Sequence, residues 1–248
     1  MARRVSKRRT RRMRRVKQRG GNKSNLFQEA YAITLDKYPE RFQRMTTFAK
    51  AANLPLKPWK GVVITPAEID TLPPLGVGTT NFKNRHGDVF NLGVIGAFLA
   101  HRDLLRHVAD KPGGTLIFED DVQIPPDLYE KLRSLEAEIQ EKAADWDYLF
   151  LDKLTRTIVG KPVSEHLIKL DKDITGYKNW GIWAYIVKNS SIKDRILPTM
   201  EHMIDVPDIQ LAKFADKINM YLVTPSIISG DPETSFKSVV TNINGSSK

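Results

Sequence analysis

Three consecutive carboxylates, Glu119-Asp120-Asp121, are the residues best placed to do chemistry. The apolar run over 115–118 delivers them and Pro125-Pro126 follows. In an α/β sheet, ligands bind beyond the carboxyl ends of the strands, which is where this triplet falls. On an extended chain, residues 119 and 121 share one side and residue 120 faces the other. Glu119 and Asp121 are therefore predicted to converge on one divalent cation. Asp120 is left for a neighbouring backbone, a ribose or a second ligand. Adjacent anions repel one another, so such a site is unfavourable without a cation. The chain has no Cys, and oxygen-only ligation favours Mn²⁺ or Mg²⁺ over Zn²⁺. The alternative is a solvated acidic turn. A second candidate spans 91–101, where Gly93 and Gly96 stand three apart at a predicted helix start. Such glycines permit close approach to a backbone or a ligand. His101 then points at a phosphate or at the sheet, or is a plain helix histidine. Gly76-x-Gly78 lacks the third glycine and preceding strand of a dinucleotide fingerprint. No GxxxxGK(S/T) or GxSxG motif occurs.

The elements that must hold these groups follow from apolar spacing. Strands are predicted over 30–35, 57–64, 115–118, 147–151, 181–187 and 219–223. Helices are predicted over 40–53, 92–108, 125–144, 189–202 and 207–216, with a Pro-, Gly-, Thr- and Asn-rich loop region over 65–90. Apolar strands alternating with helices indicate an α/β domain whose mainly parallel sheet is covered on both faces.

The 248 residues include 39 Lys+Arg against 29 Asp+Glu, a net charge of +10. Residues 1–23 hold twelve of the cations and no acid, so the remainder carries a net −2. The basic character thus belongs to an arm. Its self-repulsion predicts disorder, and its Lys/Arg cluster predicts either binding to nucleic acid or nuclear targeting. The alternatives are a solubilising extension or an arginine-rich mitochondrial presequence. The arm has no apolar stretch of the kind a secretory signal needs. The resulting division is a disordered basic arm over 1–23, one domain over 24–241 and a flexible tail over 242–248. The longest strongly apolar run, 92–100, has nine residues, against roughly 20 for a membrane-spanning helix.

Four segments, taken in order, resemble glycosyltransferase family 25, which includes bacterial lipooligosaccharide galactosyltransferases and animal or giant-virus collagen glycosyltransferases. Ile33-Thr34-Leu35-Asp36…Arg41 is similar to its opening strand, and Gly93-x-x-Gly96…His101 to its glycine-histidine helix. Phe118-Glu119-Asp120-Asp121 resembles its metal motif. Tyr177-x-x-Trp180…Tyr185-Ile186-Val187 with Asp208-x-x-Leu211, and then Asp231-x-Glu233-Thr234-Ser235, resemble the collagen-type members. Ala100 departs from the family's usual Ser, and Val94 and Ala97 from its usual Glu and Cys.

The resemblance implies a GT-A-like fold. It also implies metal-dependent, inverting transfer of a hexose (galactose or glucose) from a UDP-sugar to a glycan or hydroxylysine-type hydroxyl. Leu35, Asp36 and Arg41 would hold uridine or a phosphate, alongside Gly93, Gly96, His101 and Asp120. Asp208, with Asp205 second, would take the acceptor proton, and Tyr177, Trp180 and Trp183 would offer flat faces to a sugar or pack in the core. Two other classes compete. One is a two-metal nuclease or phosphatase, which the net −2 domain serves poorly as a duplex-binding surface. The other is a non-catalytic virion protein binding nucleic acid through its arm, since the arm resembles those on proteins of large DNA viruses. A cytoplasmic or virion-associated location is expected.

Overall fold

Strand residues alternate between two cores. In a computed structural model, residues 24–65, 67–68, 92–152, 157–173, 178–179 and 181–231 are described. The arm 1–23, Gly76, Gly78, Tyr177, Trp180, residues 233–235 and the tail 242–248 lie outside them. Strand β1 (Glu29–Thr34) sends Ala30 and Ala32 to one face of the sheet and Tyr31 to the other. Between β2 (Leu56–Lys60) and the sheet centre, β1 pairs in parallel with both β2 and β3 (Gly114–Phe118). All five residues of β3 are buried, Leu116 and Phe118 on the first face and Ile117 on the second. Each such side chain contributes about 1.5–3 kcal/mol through burial, so this central strand is a rigid platform for the acids at its carboxyl end.

Beyond β3 lie a two-residue strand β4 (Val122–Gln123), β5 (Tyr148–Phe150), β6 (Gly160–Pro162), β7 (Leu167–Leu170), β8 (Ala184–Lys188), β9 (Met220–Val223) and β10 (Ser229–Gly230). Eight of the ten strands form one sheet in the order β2-β1-β3-β8-β5-β9-β7-β6, while β4 and β10 make a small antiparallel ladder. Six of the eight run in one direction; β8 and β7 run against their neighbours. The mainly parallel α/β sheet expected is thus present, with two reversed strands. The β6–β7 hairpin is absent from the expected elements. Its strands are short and lysine-bearing, and Pro162 lies on the sheet edge, the position a residue without an N–H tolerates.

Helices α1 (Pro39–Ala51) and α3 (Leu128–Lys142) cover the first face. Pro39 opens α1, where its missing N–H is harmless, and Arg41, Met45 and Ala49 form its buried stripe. Helices α2 (Leu92–Val108) and α4 (Pro207–Lys213) cover the second face, together with an irregular run from Asn189 to Met200. An α-helix is expected over that run. It is instead a 3₁₀ turn, a π turn over Ile192–Ile196 and another 3₁₀ turn. Pro198 gives the reason, since it can neither donate to the carbonyl four residues back nor fit its ring beside it. Trp183 precedes β8 and packs partly buried against the first core. No helix among the described residues is long and apolar enough to cross a membrane.

Gly96 lies where α2 meets the chain leaving β2, and a Cβ there would overlap the carbonyl oxygen of Val62. Ala is the better helix former by about 1 kcal/mol, yet Gly96→Ala is expected to lower stability by about 1–3 kcal/mol through overpacking. A urea midpoint that stays put or rises would show that α2 is not seated against this carbonyl.

Candidate functional site

Because β1, β2 and β3 run in parallel, the segments after Thr34, Lys60 and Phe118 emerge along one edge of the sheet. The first turns of α2 join them there. Together they line a cleft of about 330 Å³. It is bordered by Ile33, Leu35, Lys37 and Arg41 after β1, by 61–64 after β2, and by Leu92, Gly93, Gly96, Ala97, Ala100 and His101 of α2. Glu119, Asp120 and Asp121 complete it. Eight of the nine residues expected to bind donor or metal, all but Asp36, therefore border one cleft.

Each carboxylate of the triplet has its own surroundings. The backbone N–H of Glu119 donates to the Trp183 carbonyl at 2.9 Å, extending the ladder between β3 and β8. The Asp120 carboxylate accepts from Arg41 Nη1 at 2.9 Å, with both side chains largely buried. Burial raises the Asp120 pKa, and Arg41 opposes that rise. Asp121 is 8% exposed, and its Oδ1 is buried with no hydrogen-bond partner among the described residues. Burial first, and then the charges of Glu119 and Asp120, push its carboxyl up to about 8. An orphaned buried oxygen beside two more acids is a poor structural device but a sound cation ligand, so these residues fit a divalent ion.

The described residues contain no ready cage of three or more His, Cys, Asp or Glu side chains. Mg²⁺ in nucleotide enzymes needs no such cage, because one or two carboxylates act together with substrate phosphates.

His101 is 2% exposed. Its Nδ1 lies 2.9 Å from the Tyr185 hydroxyl and its Nε2 lies 3.4 Å from Glu119 Oε1. Of the directions expected, its ring contacts are to the sheet and to the Glu119 carboxylate, and it also borders the cleft. Gly96 serves the close backbone approach to Val62. Arg41 borders the cleft but already binds Asp120, so it reaches any phosphate as part of an ion pair.

Three of the expected site residues lie outside the cleft's lining. Asp36 is turned to solvent, pairs with Lys60 at 2.6 Å and does not border the cleft; its neighbour Lys37 does. Asp205 is 3% exposed and held by Lys213 at 2.7 Å and by the Val206 N–H. That is a structural ion pair. Asp208 lies in the first turn of α4, where its Oδ1 accepts from the Ile209 N–H and its Oδ2 from the Gly181 N–H, at 2.9 and 2.8 Å. It does not border the cleft either, although Gly181 leads through Trp183 directly to Glu119.

Sequence reasoning gave no role to Lys37 or to Tyr185, which enters only within a motif, and missed a clamp across the chain. In that clamp Arg44 of α1 grips Asp231 with two bonds of 2.7 and 2.9 Å. The Asp231 N–H in turn donates to the Asp121 carbonyl at 2.8 Å. Of these, only Lys37, a cation in the turn after the first strand, carried a local signal.

No family model matches the chain. A Bos taurus protein described as "Probable inactive glycosyltransferase 25 family member 3" is 24% identical over 164 residues, covering 65% of this chain and 27% of that protein. The chain thus spans about a quarter of the length of that relative. Among solved structures, the chain is similar to S. aureus TarS 1-349 at 12% identity and a TM-score of 0.42, covering 79% of this chain and 58% of that one. It is also similar to the apo-form glycosyltransferase GlyE of Streptococcus pneumoniae, at 11% identity and a TM-score of 0.38, covering 79% and 45% of the two chains.

Proposed function

We propose, for a chain whose motifs and aligned relative both make it similar to glycosyltransferase family 25, that the cleft binds a UDP-hexose and a divalent cation for inverting transfer to an acceptor hydroxyl. The observation that carries this reading is the buried Asp121 Oδ1, which has no hydrogen-bond partner among the described residues, at the carboxyl edge of three parallel strands. Glu119 and Asp121 would hold Mn²⁺ or Mg²⁺, which supplies positive charge where the departing diphosphate becomes more anionic.

The chain's own groups do the rest. Lys37 and the Arg41–Asp120 pair border the cleft from α1's side and place cationic charge near the phosphates. The apolar stretch Val62–Ile64 and Leu35 offer the surface against which a base can lie. The acceptor oxygen attacks the anomeric carbon as the bond to UDP breaks, and UDP leaves with the electron pair. Asp208 lies outside the cleft's lining, but it is tethered to Gly181 on the segment that leads through Trp183 to Glu119. It is the carboxylate we assign to take the hydroxyl proton. One displacement on one face inverts the anomeric centre. Galactose and glucose remain the two hexoses to compare, with a glycan or hydroxylysine-type acceptor.

The test is release of UDP from UDP-galactose and UDP-glucose with Mn²⁺, and again with chelator. Turnover with either donor that stops on chelation supports the reading, and none with both donors and Mn²⁺ overturns it. The basic arm is assigned a separate role, retention on polyanions such as DNA. Deleting residues 1–23 is expected to leave transfer unchanged and to lower retention on immobilised duplex, most clearly at low salt. Equal retention would dispose of that role.

A further inference from the structure

Tyr185 belongs to β8 and is 1% exposed. Its ring packs against those of Tyr148 and Phe150, with centroids 5.2 and 6.2 Å away. A Phe would fill the same space, so the hydroxyl needs its own explanation: buried polar groups persist where they are bonded. Here the hydroxyl meets His101 Nδ1 at 2.9 Å, and the same imidazole reaches Glu119 Oε1 at 3.4 Å. The chain of contacts runs from β8 to α2 and on to the acid directly after β3.

We propose that Tyr185 is a positioning residue for the cation site, its hydroxyl fixing the His101 ring so that Nε2–H holds Glu119 toward the cleft. This rests on the metal-binding reading of Glu119 and Asp121. An ionised Glu119 can only accept, so Nε2 must carry the hydrogen of that bond. In the neutral ring, Nδ1 is then bare and accepts the phenol O–H, which leaves one tautomer and one ring orientation. At 3.4 Å the bond to Glu119 is weak, so its effect lies in orientation rather than stability. The Glu119 side chain is 30% exposed and would otherwise sample several rotamers. Partners behind a ligand commonly set its aim in this way.

The experiment measures Mn²⁺ affinity of the metal-free protein and reads the His101 ring nitrogens by ¹⁵N NMR, in the wild type and in Tyr185→Phe. The wild type is expected to show a protonated Nε2 and a bare Nδ1. Tyr185→Phe is expected to mix the tautomers and weaken Mn²⁺ binding about tenfold. In a His101→Gln background, Tyr185→Phe should change Mn²⁺ affinity no further, because the route through the imidazole is already gone. A purely structural tyrosine would lower thermal stability and leave both tautomer and affinity alone. Wild-type affinity in Tyr185→Phe, or a loss that persists beside His101→Gln, overturns this inference alone. No Mn²⁺ binding by the wild type overturns the metal reading together with it.

Discussion

Replacing Asp121 with Asn is expected to abolish UDP release while the protein stays folded. Asn keeps the size of the side chain but cannot neutralise a divalent cation. Losing one group that stabilises developing charge costs about a hundred- to a thousand-fold in rate, and here the group also holds the charge carrier in place. Stability is expected to move the other way or not at all. Asp121 Oδ1 has no partner among the described residues, and Glu119 and Asp120 repel its ionised form. The metal-free variant should therefore melt at the wild-type temperature or above it. Activity kept near the wild-type rate would remove Asp121 from the site.

Asp208→Asn is the second large effect expected. The amide oxygen can still accept from one of the two N–H groups that Asp208 now holds, so the fold should tolerate it. It cannot take a proton, however, and general-base catalysis is worth roughly a hundred- to ten-thousand-fold. The fall should appear in kcat, with Mn²⁺ affinity unchanged. Asp205→Asn is the informative contrast, because its carboxylate is 3% exposed and engaged by Lys213. That variant should lose stability and keep its chemistry in whatever protein remains folded. Equal kcat in Asp208→Asn and wild type would place the base elsewhere.

Much of this site was legible because its signals are local. Helix α2 has the bounds its apolar spacing predicts, and the acids come directly after the apolar run Leu116-Ile117-Phe118 of a buried strand. That the 119–121 acids and the Gly93–His101 segment share one cleft is visible only in the structure. Everything decided by distant partners escaped. Tyr185 and His101 are 84 residues apart, and Arg44 and Asp231 are 187 apart; no periodicity reports such pairs. The candidacy of Asp36 rests on the resemblance alone; in the structure it pairs with Lys60 at the surface while Lys37 borders the cleft, since a turn has no fixed side-chain alternation to show which of them faces inward. Likewise the reversal of β8 depends on how the chain returns across the sheet, whereas its apolar pattern is that of any central strand.

A crystal of the full chain soaked with UDP and Mn²⁺ tests the central assignment most directly. The prediction is anomalous density for one ion touching the Glu119 and Asp121 carboxylates and a diphosphate oxygen, with the base against Leu35 and 62–64. An ion and nucleotide bound elsewhere, with Asp121 Oδ1 still bare inside an empty cleft, would contradict it.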